Sequence, residues 1–190
     1  VGRWWTDIGL AKRLPFLVEN YLWTVGWAFE PQFWSYREIQ TKANCFVTMI
    51  DDVYDVYGTL DELDLFTDAM DINAIDKFPG YMKMCLLAVF NTANDAAHRI
   101  TKEKNLDMLP YLKRAWGDLC KAYLVEAKWY HRGHVPKLSD YSDNAWMSIS
   151  GRMSLTNAFS MSEDLTQEAS ESFRTSLEIT RPSCMLLRLY

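Results

Sequence analysis

Apolar and polar residues follow one another along most of the chain with the period of an amphipathic helix. The pattern predicts helices over residues 17–29, from Pro31 to Gly58, over 79–102, over 106–131 and over 138–159. Thr59, followed by Asp61 and Glu62, predicts the N-cap and the acidic first turn of a further helix. No stretch of the sequence alternates like a strand between hairpin turns. We therefore predict an all-α domain.

Gly151 falls inside the predicted helix over residues 138–159. A glycine within a helix costs about 1 kcal/mol relative to alanine. It can permit close helix packing, or it can mark a break that turns backbone carbonyls towards a cavity. Beyond it, the sequence is polar from residue 162 and becomes apolar again over residues 182–190.

The most informative segment is the acidic run Ile50-Asp51-Asp52-Val53-Tyr54-Asp55, which ends an apolar stretch. On a helix, Asp51 and Asp55 share a face, and Asp52 lies about 100° round from Asp51. Like charges at this spacing are destabilising, more so in a low-dielectric wall, so the arrangement favours a bound cation.

Oxygen ligands alone suit Mg²⁺ or Mn²⁺ better than zinc, and Mg²⁺ often completes its shell with substrate phosphates. The run therefore indicates a metal-dependent enzyme that acts on a diphosphate. The alternative is an acidic cluster on a solvated helix face.

Composition narrows the classes of partner. The chain has 190 residues, and 49% of them are hydrophobic and 14% aromatic, which is enough for a core and for an aromatic-lined cavity that could stabilise a carbocation. The net charge is −5 without a basic patch, so we do not expect a nucleic-acid partner. No apolar run reaches the roughly 20 residues of a membrane span. The scattered cysteines are expected to be free thiols.

An ordered set of segments resembles plant class I terpene synthases, in particular the angiosperm group of monoterpene and isoprene synthases. The acidic run belongs to this set. The segments are residues 3–5, 23–26, 29–33, 50–63, 71–76, 110–113, 126–130 and 144–151. The resemblance covers nearly the whole chain in the family's order. It implies the α-helical isoprenoid-synthase fold and ionisation of a prenyl diphosphate, most favourably geranyl diphosphate, to an allylic carbocation.

The resemblance also implies a site with three Mg²⁺ or Mn²⁺ ions. Asp51 and Asp55 match the family's metal ligands, and Asp52 matches the neighbouring acid that orients them. Arg188 matches an arginine that binds the diphosphate. The metals and this arginine would stabilise charge on the leaving diphosphate.

The same resemblance implies the residues of the substrate cavity. Trp23 matches an aromatic residue of the wall, and Asn44 and Cys45 fall on the helix face just above the metals. Ser150 and Gly151 match a helix break that lines the cavity.

Several segments depart from the family pattern. A second metal motif, (N/D)DxxSxxxE, is expected just after Tyr190, and an arginine-rich segment is absent after Phe16. The sequence is also shorter than the family pattern between Met70 and Asp71 and over residues 159–177. Either the protein has segments that this sequence omits, or it is a truncated remnant without catalytic activity that binds cations or a partner.

Two rival enzymes within the family are an isoprene synthase and a sesquiterpene synthase, which the volume of the cavity would distinguish. For the monoterpene type we expect a plastid location, and for the sesquiterpene type the cytoplasm. A monomer or a homodimer is expected.

Overall fold

The computed structural model of the protein describes residues 15–71, 78–175 and 178–190. In these ranges every regular element is helical, as predicted. Residues 3–5 and 72–76, which contributed to the family resemblance, lie outside the described ranges. The α-helices are α1 (Pro15–Trp27), α2 (Trp34–Asp52), α3 (Leu60–Asp71), α4 (Gly80–Lys104), α5 (Leu109–His131), α6 (Leu138–Ser148), α7 (Gly151–Ser160), α8 (Gln167–Thr175) and α9 (Thr180–Leu189).

Helices α2 and α5 occupy the centre of the bundle. α2 packs against α1, α4 and α7, while α5 packs against α3, α4, α6 and α7. On α2 the buried residues Ile39, Ala43, Phe46 and Ile50 recur at helical spacing, and they share one core cluster with Leu119 of α5. Burial of a large apolar side chain contributes about 1.5–3 kcal/mol, so this stripe fixes the rotation of α2 about its axis.

The helix predicted from Pro31 to Gly58 is present but not uniform. It begins as a 3₁₀ turn (Pro31–Phe33), continues as α2 and ends as a π-helix (Val53–Tyr57). In the π-helix, the Gly58 amide donates to the Val53 carbonyl at 2.8 Å. The Tyr54 hydroxyl hydrogen-bonds the Thr67 hydroxyl at 2.7 Å, which ties this wide turn to α3. π-helices in proteins are mostly single turns, and they are frequent at functional sites.

The next helix starts as the sequence predicts. The Thr59 amide donates to Glu62 Oε2 at 3.0 Å, and the Thr59 hydroxyl donates to the same oxygen at 2.9 Å. A glutamate that reaches back in this way satisfies an amide at the helix start that has no partner within the helix. Only Gly58 and Thr59 therefore separate the π-helix from the first turn of α3.

The segment predicted over residues 138–159 is helical but not one continuous helix. It is interrupted between α6 and α7, where Ser150 adopts a left-handed conformation with φ +63°. Gly151 is the first residue of α7, and a Cβ added there would lie 2.7 Å from Cys184 Sγ. Of the two interpretations of Gly151 that the sequence left open, the structure therefore shows a helix break and close packing at the same point.

An ion-pair cluster joins α2 to α4. Glu38 accepts from Lys42 Nζ at 3.0 Å and from Arg99 Nη1 at 2.9 Å. Burial by itself raises the pKa of Glu38, but the hydrogen bonds from Arg99 and Lys42 outweigh it and lower that pKa to about 2. No helix in the described part of the chain is both long and apolar enough to cross a bilayer.

Candidate active site

A cavity of about 960 Å³ opens between α1, α2, α7 and α9. This volume lies at the upper end of the range for ligand pockets. Its wall carries four aromatic side chains, Trp23, Trp27, Phe33 and Tyr36. The indole rings of Trp23 and Trp27 meet edge to face, with centroids 6.1 Å apart. Aromatic side chains of this kind can bind an apolar or cationic guest.

Four of the five cavity residues predicted from the sequence line the cavity. Asn44 lines the cavity from α2, and Trp23 lines it from α1. Ser150 and Gly151 line it at the break between α6 and α7. The structure therefore brings these four predicted residues to one wall, although residue 151 is more than 100 positions from residue 44 in the chain.

Cys45 does not reach the cavity, contrary to the prediction. Its side chain is only 3% exposed and faces α1, where Asn20 Nδ2 donates to its sulfur at 3.4 Å. The reason is the helical period, because residue 45 is turned by about 100° from Asn44. Asn20, which the sequence did not single out, lines the cavity in its place.

The acidic run begins one helical turn beyond the last residue of α2 that lines this cavity. Asn44 and Thr48 line the cavity from α2, and Asp51 follows one turn later on the same face. In a regular α-helix, Asp55 would lie about 40° round the axis from Asp51, because four residues make slightly more than one turn. The π-helical turn that contains Asp55 has more residues per turn, so it rotates the chain less and brings Asp55 closer to the line of Asp51. Asp52 and Asp51 are half-buried, while Asp55 is exposed.

The surroundings of Asp51 disfavour its negative charge. Burial raises the pKa of this carboxyl, and the neighbouring carboxylates of Asp55 and Glu126 raise it further. A hydrogen bond from the Tyr123 hydroxyl and the positive charge of Arg188 oppose this effect but do not cancel it. Burial raises the pKa of Tyr123 as well, so its hydroxyl stays a donor.

A cation between these carboxylates would remove the repulsion. In the described ranges, no three or more histidine, cysteine, aspartate or glutamate side chains converge on one point. The donors therefore do not form the four-ligand cage of structural zinc. Mg²⁺ needs only one or two protein carboxylates, and Asp51 and Asp55 provide that number.

A polar network that the sequence analysis missed surrounds Glu126 of α5. Its Oε1 accepts from Ser148 Oγ at 2.6 Å and from Asn144 Nδ2 at 3.2 Å, and it lies 3.8 Å from Arg188 Nη2. Asn144 Nδ2 also donates to the Ala122 carbonyl at 3.0 Å. The signal was present in the sequence, because residues 141, 144 and 148 form a polar stripe at helical spacing.

Arg188 of α9, predicted to bind diphosphate, lies in this network. Its Nε donates to the Tyr141 hydroxyl at 2.7 Å, and its Cζ lies 5.5 Å from the centroid of the Tyr141 ring. Burial lowers the pKa of Arg188, but the contacts with Tyr141 and Glu126 outweigh it and raise that pKa overall. Arg188 is therefore a fixed positive charge beside Asp51.

Two buried polar atoms of α2 have no hydrogen-bond partner among the described residues: Gln40 Oε1 and Asn44 Nδ2, of which Asn44 belongs to the cavity lining. The other ends of the same amides are bound, since Gln40 Nε2 donates to Asn44 Oδ1 at 2.8 Å and to Ser154 Oγ at 3.2 Å. Buried unpartnered polar groups are rare in folded proteins. An orphan donor beside an orphan acceptor at a cavity is typical of a site that is completed by a ligand or by ordered water.

The fold and the site together define a class: an all-helical bundle around a large apolar cavity, with carboxylates and an arginine at one end. The chain belongs to the terpene synthase family. The family described as "Terpene synthase family, metal binding domain" matches residues 6–190. The resemblance drawn from the sequence, and with it the isoprenoid-synthase fold, is thereby confirmed.

Curated relatives match over the whole chain. Monoterpene synthase 8, chloroplastic, of Hedychium coronarium is 61% identical across 100% of this chain and 33% of its own length. Terpene synthase 10 of Ricinus communis is 50% identical across 99% of this chain and 36% of its own length. This chain thus spans about a third of these relatives. The alignment with Monoterpene synthase 8 runs over 197 positions, whereas this chain has 190 residues. That relative therefore has internal positions without a counterpart here.

Solved structures of terpene synthases superpose on this chain over nearly its whole length. Isoprene synthase from grey poplar leaves (Populus x canescens), in complex with three Mg²⁺ ions and dimethylallyl-S-thiolodiphosphate, superposes with a TM-score of 0.90 at 45% identity. That match covers 98% of this chain and 37% of the poplar chain. Limonene synthase with 2-fluorolinalyl diphosphate gives a TM-score of 0.90 at 42% identity, over 98% of this chain and 36% of the other.

Proposed function

We propose that residues 1–190 form the catalytic domain of a metal-dependent terpene synthase that converts geranyl diphosphate to a monoterpene. One observation carries the proposal: the aromatic-lined cavity reaches Thr48, one helical turn before Asp51, whose pKa is raised by burial and by neighbouring carboxylates despite the nearby positive Arg188. An apolar chain fits the cavity, and a diphosphate with its cations fits the charged end.

Asp51 and Asp55 would hold Mg²⁺ or Mn²⁺, up to three ions with the diphosphate bound, and Asp52 would orient these ligands. When bound, the ions would neutralise charge on the leaving diphosphate. Arg188 would bind diphosphate oxygens by charge-assisted hydrogen bonds. The poplar isoprene synthase structure, which contains three Mg²⁺ ions and a thiolodiphosphate, supports this proposal.

The cavity wall would guide the carbocation. Trp23 and the other aromatic rings offer faces that stabilise a cation and exclude water. The break at Ser150 and Gly151 shapes one wall, and the amide of Asn44 adds a polar point opposite it. Reaction of the cation needs no nucleophile from the protein.

The size of the cavity favours geranyl diphosphate over a five-carbon substrate. An isoprene synthase would need a small pocket closed by bulky side chains, whereas this cavity measures about 960 Å³. The monoterpene synthases among the relatives support the same choice. A plastid location accompanies this proposal, because these relatives are chloroplastic. Fractionation of leaf tissue with an antibody to the protein would place it in the chloroplast or in the cytosol.

The proposal is tested by incubating the purified protein with geranyl diphosphate and Mg²⁺ and analysing the headspace by gas chromatography. We expect ten-carbon volatiles that disappear with EDTA and in an Asp51→Ala variant of unchanged helical content. Dimethylallyl and farnesyl diphosphate are tested in parallel to separate the rival enzymes. Absence of product from all three substrates, with intact mass and helicity verified, would support the non-catalytic alternative.

A further inference from the structure

The helix α6 presents three polar side chains to the charged end of the cavity. Tyr141, Asn144 and Ser148 recur at helical spacing, and each hydrogen-bonds either Glu126 or Arg188. None of the three lines the cavity itself. Their contacts are with the charged groups around Asp51, so the stripe acts on the site through other residues.

We propose that Tyr141 is a positioning residue that sets the orientation of the Arg188 guanidinium for binding a diphosphate. The proposal rests on the role assigned to Arg188 under the proposed function. Tyr141 holds the guanidinium in two ways: its hydroxyl accepts from Nε at 2.7 Å, and its ring lies 5.5 Å from Cζ. The two contacts constrain both the rotation and the tilt of the guanidinium plane.

The remaining donors of Arg188 are the reason that this orientation matters. A guanidinium has five N–H donors in a fixed fork. Tyr141 uses the Nε donor, and Glu126 Oε1 lies 3.8 Å from Nη2, beyond a direct hydrogen bond. The Nη donors are therefore left in a defined plane, in which they can bind a bidentate anion such as diphosphate.

Glu126 complements this arrangement on the other side. Its Oε1 already accepts from Ser148 and Asn144, so it attracts Arg188 without pairing with it closely. A carboxylate without those two donors could form a bidentate pair with the arginine and occupy the donors that a diphosphate needs. The polar stripe on α6 thus keeps Arg188 close to the acids and available to an anion.

The test measures binding of inorganic pyrophosphate with Mg²⁺ by calorimetry, in parallel with steady-state kinetics and urea unfolding. Tyr141→Phe keeps the ring and removes the hydroxyl. We expect it to weaken pyrophosphate binding about ten-fold, the effect of one hydrogen bond to a charged group. The free energy of unfolding should change little, and KM should rise by a larger factor than kcat falls. Tyr130→Phe, at an exposed tyrosine of α5, is the matched control and should bind as the wild type does.

A double mutant decides whether Tyr141 acts through Arg188. Lysine has no Nε donor in a guanidinium plane, so Tyr141→Phe should have no further effect on pyrophosphate binding in an Arg188→Lys background. If the two effects multiply, Tyr141 acts by another route and the inference is wrong.

The outcomes separate the inference from the proposed function. If the wild type does not bind pyrophosphate, or if Arg188→Ala binds as tightly as the wild type, the role proposed for Arg188 fails and the inference fails with it. If Arg188→Ala weakens binding but Tyr141→Phe does not, only the inference fails. A loss of stability without a loss of affinity in Tyr141→Phe would reduce Tyr141 to a structural contact between α6 and α9.

Discussion

The close packing of Gly151 against Cys184 allows a quantitative prediction for Gly151→Ala. An alanine Cβ at this position would lie 2.7 Å from Cys184 Sγ, whereas carbon atoms in contact lie about 3.5–4.0 Å apart. Cys184 is 2% exposed but also borders the cavity, so its sulfur can leave its position only by rotating towards the cavity. Without that rotation, relief of the clash requires a shift of roughly 1 Å between α7 and α9.

Overpacking of this kind costs about 1–3 kcal/mol. Alanine gains up to about 1 kcal/mol over glycine in helix propensity, and less at the first residue of a helix. We therefore expect the free energy of unfolding to fall by about 1–2 kcal/mol. Gly80 provides the matched control, since it is also the first residue of a helix and has no atom within 4 Å of an added Cβ. Gly80→Ala should be neutral or slightly stabilising.

A double-mutant cycle isolates the contact. Cys184→Ala removes the sulfur and leaves Cys184 Cβ and Cα at 3.6 and 3.8 Å from the new methyl group, which are ordinary contact distances. The Gly151→Ala/Cys184→Ala protein should be no less stable than Cys184→Ala alone. Urea unfolding followed by circular dichroism gives the four free energies.

Two results would refute the reasoning. If Gly151→Ala is within 0.5 kcal/mol of the wild type, a rotation of the Cys184 side chain is enough to accommodate the methyl group. If instead the two single costs simply add in the double mutant, the cost of Gly151→Ala arises from the backbone of the break and not from the sulfur.

Three further predictions concern other contacts. Because burial raises the pKa of Glu38 while hydrogen bonds from Arg99 and Lys42 lower it to about 2, from an ordinary 4.5, Glu38 stabilises the fold above pH 4.5 and this contribution is lost as the pH falls towards 2. Acid unfolding of Glu38→Gln should therefore lack a pH-dependent contribution of about 1–2 kcal/mol, allowing for partial exposure. Tyr54→Phe removes a buried hydrogen bond and should cost about 1 kcal/mol in thermal or urea unfolding. Asp51→Asn should abolish turnover but raise the free energy of unfolding in EDTA, because it removes a charge that burial and Asp55 disfavour.

Each of the three has a defined counter-result. Equal pH dependence in Glu38→Gln and the wild type would show that the ion pairs contribute nothing to stability. In a Thr67→Val background, Tyr54→Phe should be nearly neutral, and a full cost there would exclude the hydroxyl pair as its cause. A less stable Asp51→Asn in EDTA would mean that the Tyr123 hydrogen bond outweighs the repulsion.

The sequence predicted the elements better than it predicted their interruptions. The apolar periodicity located the helices of the core, because burial of one face is a local and repeated signal. The family resemblance placed a break at Ser150 and Gly151, but the apolar periodicity alone did not locate it, since the close packing there involves Cys184, which lies 34 positions after Ser150 in the chain. The π-turn that contains Asp55 left no residue pattern of its own, and only the closure at Gly58 was visible.

The same contrast holds at the site. The acidic run and Arg188 were found because charged residues at the end of an apolar helix, or in a family motif, are conspicuous. Gln40 was missed, since a single glutamine on a predicted helix is not distinctive until its partner is known. Tyr141 was missed although it belongs to the polar stripe of α6, since that stripe does not show which charged residues it contacts. Their significance lies in contacts with Arg188 and Asn44, and the contact of Tyr141 crosses between helices.

Helix α9 is attached to the bundle in an unusual way, and this has a consequence for its dynamics. Of its ten residues only Thr180 and Cys184 are buried, and its remaining links to α6 include the polar contacts of Arg181 with Asp143 and of Arg188 with Tyr141. Elements with so few buried apolar contacts open locally at a free energy well below that of global unfolding. An anion that binds Arg188 only in the attached state stabilises that state by mass action. Amide exchange in α9 should therefore slow as pyrophosphate is added, which makes attachment of this helix and occupation of the site a single coupled equilibrium.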